Sequence, residues 1–118
     1  CVMVKDNHVA VCGSVSAAVA AARKHAPHTA TIEVEADNPS QATEAADAGA
    51  SIVLLDNMTP AAVGEAVTQL GGRVTVEVSG GVTIETAADY ARAGADVISI
   101  GALTHSRRWV DIGLDYVG

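Results

Sequence analysis

The sequence predicts an α/β protein in which five parallel strands alternate with helices, and three observations carry that prediction. Short β-branched runs alternate five times with longer, Ala-rich segments. The Ala-rich segments are bracketed by residues that start and stop helices. A strand–helix pattern also recurs: Ala48-Gly49-Ala50-Ser51-Ile52-Val53 matches Ala93-Gly94-Ala95-Asp96-Val97-Ile98 after a shift of 45 residues, from Ala48 to Ala93. Self-similarity of this kind indicates stacked βα units and hence a parallel sheet.

Taken in chain order, strands are expected over residues 2–5, 31–35, 51–56, 74–79 and 96–101. Helices are expected over 15–24, 41–48, 61–70 and 84–93. Ser14, Asn38, Thr59 and Thr83 stand where N-caps belong, because each carries a side-chain oxygen that can accept a free N–H of the first turn. Pro39 and Pro60 follow two of these caps, at the first helical position, where the missing N–H costs nothing. Gly49, Gly71 and Gly94 supply the left-handed stops. A closed eight-stranded barrel takes about 250 residues. The 118 residues of this chain therefore correspond to an open sheet or to an incomplete, TIM-like α/β barrel of five strands.

Composition limits the function classes. Fourteen acidic against seven basic residues give a net charge of −7, and Trp109, Tyr90 and Tyr116 are the only aromatics. Such a chain repels phosphate backbones and offers bases little to stack on, so neither nucleic-acid nor acidic-membrane binding is expected. Cys1 and Cys12 form neither a disulfide framework nor a metal-ligand spacing, which fits a reducing, cytoplasmic setting. The longest nearly apolar run, 15–22, is far too short for a membrane span. The chain opens on the strand-like run Cys1-Val2-Met3-Val4 without an initiator Met, so it is expected to be the C-terminal piece of a longer protein.

Strand parity locates a site. Side chains alternate faces with period two. Val2, Val4, Ile32, Val34, Val53, Leu55, Val74, Val76, Val78, Ile98 and Ile100 therefore share the face suited to lie under helices. Met3, Lys5, Glu33, Glu35, Leu54, Asp56, Thr75, Glu77, Ser79, Ser99 and Gly101 share the other. Lys5, Glu35, Asp56, Ser79 and Gly101 thus converge near the C-terminal ends of five strands, where parallel α/β folds bind ligands. The bland alternative is an interior ion-pair network that only fixes the sheet. Five charged residues on one face, counting Glu33 and Glu77, exceed what that requires.

Ser79-Gly80-Gly81-Val82-Thr83 joins a strand to a helix N-terminus, so its backbone N–H groups and the helix dipole suit a phosphate. A second glycine turn, Gly101-Ala102-Leu103-Thr104-His105, follows the next strand, and His105 is placed to donate to the same phosphate or else to be an ordinary surface histidine. Glu35 and Asp56 at adjacent strand ends are suited to Mg²⁺, directly or through water, since that ion takes one or two carboxylates together with substrate phosphate oxygens. His25 and His28 lack acidic or Cys partners and read as solvated surface. The glycosylation sequon Asn57-Met58-Thr59 falls in the expected site loop and is set aside.

Five segments, Lys5-Asp6-Asn7-His8, Glu33-Val34-Glu35, Leu54-Leu55-Asp56-Asn57-Met58, Glu77-Val78-Ser79-Gly80-Gly81-Val82 and Gly101-Ala102-Leu103-Thr104-His105-Ser106, occur in the order found in the quinolinate phosphoribosyltransferases. The chain closely resembles that family from its first residues to Asp111-Ile112-Gly113-Leu114-Asp115, as the C-terminal portion of the family's barrel domain. The resemblance implies conversion of quinolinate and phosphoribosyl pyrophosphate to nicotinate mononucleotide, pyrophosphate and CO₂ in NAD biosynthesis, with Mg²⁺ required. It implies that Lys5 contacts a substrate anion, most naturally a quinolinate carboxylate, and that Glu35 and Asp56 serve the ribose and the Mg²⁺-pyrophosphate. Ser79, Gly80, Gly81, Gly101 and His105 would hold the phosphate end.

It also implies a homodimer or larger homo-oligomer for the full-length form. The family's N-terminal domain, earlier barrel half and carboxylate-binding arginines have no counterpart here. Arg107 and Arg108 are expected outside the strand-end face, and Arg23, Arg73 and Arg92 in helices or turns. The 118 residues alone are therefore expected to have little or no transferase activity. The alternatives are a non-catalytic phosphate-binding half-barrel, a structural fragment that pairs with another copy, and a related transferase acting on a different pyridine.

Overall fold

A computed structural model describes residues 1–106, 109–116 and 118. Its elements run β1 (Val2–Val4), α1 (Asp6–Cys12), α2 (Val15–His25), β2 (Ile32–Ala36), α3 (Pro39–Asp47), β3 (Ile52–Asp56), α4 (Pro60–Leu70), β4 (Thr75–Ser79), α5 (Ile84–Ala93), β5 (Val97–Ile98) and α6 (Ala102–His105). The five strands form one sheet in the order β1-β2-β3-β4-β5, with every neighbouring pair parallel. The sheet does not close, so the architecture is that of an incomplete α/β barrel.

The caps expected from sequence are made. Ser14, Asn38, Thr59 and Thr83 accept from the backbone N–H of Ala17, Gln41, Ala62 and Thr86 respectively. Each bond satisfies a donor that the helix itself cannot. Pro39 and Pro60 occupy the first helical positions, so α3 and α4 begin one or two residues before the periodic run suggests. Gly71 and Gly94 close α4 and α5 in the left-handed conformation, and Gly49 follows α3 with φ +91°.

Register confirms the parity. Val4, Val34, Val53 and Val76 align across β1 to β4, each 3 % exposed or less. Ala36, Leu55, Val78 and Ile98 form the next row across β2 to β5. These rows pack beneath α2 to α5 with Ala18, Val19, Ala42, Ala45, Val63, Ala66 and Leu70. Small side chains at the contact let helices approach the sheet closely, as the Ala- and Val-rich composition requires. Tyr90 on α5 is buried, and its hydroxyl donates to the Met58 carbonyl at 3.0 Å, which ties α5 to the loop after β3.

Three features depart from the sequence reading. Helix α1 was not expected; it buries no residue fully and is held by its ends, where the Lys5 N–H donates to His8 Nδ1 at 2.9 Å and left-handed Gly13 donates to the Val9 carbonyl. With no apolar stripe, such a helix leaves no periodic signal. Strand β5 covers Val97–Ile98 rather than 96–101: its bonds to β4 end with the Ser99 N–H on the Val78 carbonyl at 2.9 Å, and the chain takes a helical backbone by Gly101. Gly101 consequently lies beyond the strand, at φ −59°, and opens α6 without the left-handed backbone of the other glycine turn.

Candidate active site

The carboxyl ends of the strands carry the site, and the open face of the sheet presents it. Lys5 follows β1 and caps α1, which fixes its backbone while its side chain stays 53 % exposed. Its Nζ lies 2.8 Å from Glu35 Oε2, near the end of β2, where the carboxylate side chain is only 15 % exposed. The hydrogen bond and charge of Glu35 raise the Lys5 pKa above its ordinary value, with smaller contributions from Asp56 and Asp6. Lys5 therefore remains an ammonium at neutral pH.

Asp56 ends β3 and stands opposite Ser79, the last residue of β4. Glu35 pairs with Leu54, two residues before Asp56, so Glu35 and Asp56 share one face. The chain then turns at Asn57, whose φ is +54°. Its backbone N–H donates to the Ser79 carbonyl at 3.0 Å and its side-chain amide donates to Asp56 Oδ2. On the neighbouring loop Gly80 and Gly81 have φ +83° and +64°. A Cβ at Gly80 would overlap Asn57 Oδ1 and lie 2.6 Å from the Asn57 backbone nitrogen, so only glycine fits there.

The Ser79-Gly80-Gly81 turn leads through buried Val82 to Thr83, the N-cap of α5. A turn of this shape at a helix start suits an anion. Gly101 follows the adjacent strand β5 on the same rim, with the His105 ring 3.5 Å from where its Cβ would stand. His105 is exposed at the end of the four-residue α6. Lys5, Glu35, Asp56, Ser79, Gly80, Gly81, Gly101 and His105 thus all lie at one end of one sheet.

Sequence reasoning placed Glu33 and Glu77 on this face without assigning them a function. Glu33 is 7 % exposed, accepts from the Cys1 thiol at 3.4 Å through Oε2, and has no hydrogen-bond partner at Oε1 among the described residues. Burial raises its pKa above the ordinary carboxylate value, and the adjacent Glu77 raises it further. Glu77 Oε1 accepts from Ser99 Oγ at 2.6 Å. Glu77 shares the register row of Glu35 and Leu54, and Glu33 lies two residues before Glu35 on β2, so both line the open face that strand parity assigns them.

The arginines are engaged elsewhere. Arg23 donates to the Gly49 carbonyl, Arg73 pairs with Asp47, and Arg92 pairs with Asp89. Arg107 and Arg108 lie outside the described residues. His25 and His28 are exposed, as expected for surface. No helix among the described residues is long and apolar enough to cross a membrane. No group of three or more His, Cys, Asp or Glu residues is arranged to enclose a metal among the described residues. The donor set fits Mg²⁺ only as a loosely held ion, with hard oxygens from Glu35 and Asp56 and the remaining ligands from water and substrate.

Comparison with known proteins is consistent with this geometry. The family model described as quinolinate phosphoribosyl transferase, C-terminal domain, matches residues 1–115. A probable nicotinate-nucleotide pyrophosphorylase (carboxylating) of Methanothermobacter thermautotrophicus is 42 % identical over 123 residues, covering 100 % of this chain and 44 % of the relative. The Homo sapiens nicotinate-nucleotide pyrophosphorylase (carboxylating) is 43 % identical over 116 residues, covering 96 % of this chain and 39 % of the relative. Among solved structures, NadC from Streptococcus pyogenes superposes with a TM-score of 0.86 at 40 % identity, covering 99 % of this chain and 42 % of that one. The nicotinate-nucleotide pyrophosphorylase from Ehrlichia chaffeensis gives 0.88 at 41 % identity, covering 97 % and 41 %. The chain therefore spans about two fifths of the length of the relatives it matches. From sequence, register and superposition together, the chain belongs to the quinolinate phosphoribosyltransferase family, matching its C-terminal domain.

Proposed function

We propose that these residues form the C-terminal part of the barrel domain of a quinolinate phosphoribosyltransferase, whose N-terminal domain and first barrel strands lie outside the 118 residues. In the whole enzyme, the quinolinate ring nitrogen attacks C1 of phosphoribosyl pyrophosphate as the C1–O bond to pyrophosphate breaks. Loss of CO₂ then leaves the electron pair of the broken C–C bond on the ring carbon beside the cationic nitrogen, which stabilises it, and a proton taken up at that carbon gives nicotinate mononucleotide for NAD biosynthesis. The observation that carries this reading is the juxtaposition of the Lys5–Glu35 pair and Asp56 with the Ser79-Gly80-Gly81 turn on one rim.

In this reading Lys5 binds a quinolinate carboxylate as a fixed cation. Glu35 holds Lys5 in place and, with Asp56, faces the ribose, where a preorganised negative charge stabilises the positive charge that develops at C1. Backbone N–H groups of Ser79, Gly80 and Gly81, with Gly101 and His105 beside them, hold the 5′-phosphate. Glu35 and Asp56 would hold Mg²⁺, directly or through water, and the ion when bound neutralises the departing pyrophosphate. The whole protein is proposed to work in the cytoplasm as a homodimer or larger homo-oligomer. Among the described residues the arginines, Arg23, Arg73 and Arg92, are paired elsewhere rather than clamping the quinolinate carboxylates, and the 118 residues by themselves are proposed to turn over little substrate.

The test is a titration with phosphoribosyl pyrophosphate, with and without Mg²⁺, alongside an assay for nicotinate mononucleotide. Turnover by the native protein, and saturable Mg²⁺-dependent binding without turnover by residues 1–118, is the expected result. Absence of binding to both forms overturns the reading.

A further inference from the structure

We infer that Asn57 is a positioning residue that orients the Asp56 carboxylate for the sugar-phosphate, an inference that rests on the proposed reading of Asp56. Consecutive residues of an extended strand point to opposite faces, so residues 56 and 57 cannot ordinarily share a side-chain hydrogen bond across the sheet. Here the backbone turns left-handed at Asn57, the only non-glycine residue with positive φ among the described residues. That turn brings its amide back onto Asp56 Oδ2. Asn is one of the few side chains that tolerate this conformation.

Two further contacts fix the amide. The Asn57 backbone N–H donates to the Ser79 carbonyl at 3.0 Å, so the turn is tied to the end of β4. Its Oδ1 rests against the Cα of Gly80, where no Cβ has room. The amide is thus the one hydrogen-bond donor to the Asp56 carboxylate among the described residues, and it leaves Oδ1 of that carboxylate without a donor. A carboxylate held in one orientation before substrate arrives need not reorganise as charge develops. The same residue couples Asp56 to the Gly80 turn, which links the ribose and phosphate ends of the proposed site.

The test compares Asn57→Gly, Asn57→Asp and Asp56→Asn in the native protein by steady-state kinetics and thermal melting. Glycine keeps the left-handed backbone and removes the amide, while aspartate keeps the shape and replaces the donor with a second negative charge. Both variants are expected to lose about 10- to 100-fold in kcat, the range typical when a residue orienting an active group is removed. The KM for quinolinate and the melting temperature of Asn57→Gly should be unchanged. If Asn57→Gly keeps wild-type kcat while Asp56→Asn is inactive, the inference is overturned and the reading of Asp56 stands. A loss of activity matched by a fall in melting temperature in both Asn57 variants also overturns it, in favour of a purely structural role. Wild-type turnover by Asp56→Asn overturns the reading of Asp56 and this inference with it.

Discussion

The two faces of the sheet are built from alternate residues of the same strands, and they differ in nearly every physical respect. On the helix-covered face, Val34, Val53, Leu55 and Val78 are each fully buried and uncharged. On the open face, the row through Glu35, Leu54, Glu77 and Val97 mixes carboxylates with apolar side chains, and Met3 and Val97 remain 37 % and 42 % exposed. Burial of apolar area, the dominant favourable term in folding, is thus concentrated on one side. The other side is free to hold charges that would be expensive in a core. A period of two lets five short strands serve both ends, because changing one face leaves the neighbouring residue pointing the other way.

The sharpest way to break the comparison is to place a charge on the covered face. Val53→Asp buries an unpaired carboxylate with no donor nearby and is expected to destabilise the fold by about 3–5 kcal/mol, read from urea denaturation. An unchanged midpoint would show that this face is less dry than its packing indicates. Next in size is Gly80→Ala, which forces a side chain into a left-handed backbone and against Asn57. A loss of about 1–3 kcal/mol is expected. The double variant with Asn57→Gly should not restore it, since the backbone nitrogen of residue 57 lies 2.6 Å from the new Cβ.

Glu33→Gln sharpens the comparison from the other side, since Glu33 is the one buried charged side chain among the described residues. Its folded pKa is raised, so the folded protein binds this proton more tightly than the unfolded chain does. Its contribution to stability is greatest below the ordinary carboxylate pKa of about 4.3, falls as pH rises from there to the folded value, and is constant above it. Glutamine removes that decline. It should stabilise the protein at neutral pH by about 1 kcal/mol and flatten the denaturation midpoint across that window. An equal pH dependence in both proteins would place the relevant titration elsewhere. The smallest stability effect is expected for Lys5→Met, because the pair is half exposed on the lysine side. Its melting temperature should match wild type at neutral pH, while the KM for quinolinate of the native protein rises. A large drop in melting temperature would make the ion pair structural.

Much of this arrangement was legible in the residues. Each cap at Ser14, Asn38, Thr59 and Thr83 depends on one side chain and its near neighbours, and the alternation of Val34 with Glu33 and Glu35 encodes the two faces directly. What escaped were features without a local signature. Helix α1 has end contacts but no apolar stripe. The early end of β5 follows from the helical backbone taken up at Gly101, which a β-branched run does not record. The left-handed turn at Asn57 has no local signature either, since neither the motif nor the sequon in that segment specifies a backbone conformation.

By itself, then, the sequence determined where the five strands lie, where α2 to α5 start to within two residues and which face each strand residue takes, because capping and side-chain alternation are decided within a few residues along the chain. Only the tertiary structure decided that Lys5 closes on Glu35, that Asn57 reaches back to Asp56 against Gly80, and that Glu33 loses its water. Those outcomes depend on register and distance between strands far apart in sequence, and on how much solvent the packed neighbours exclude.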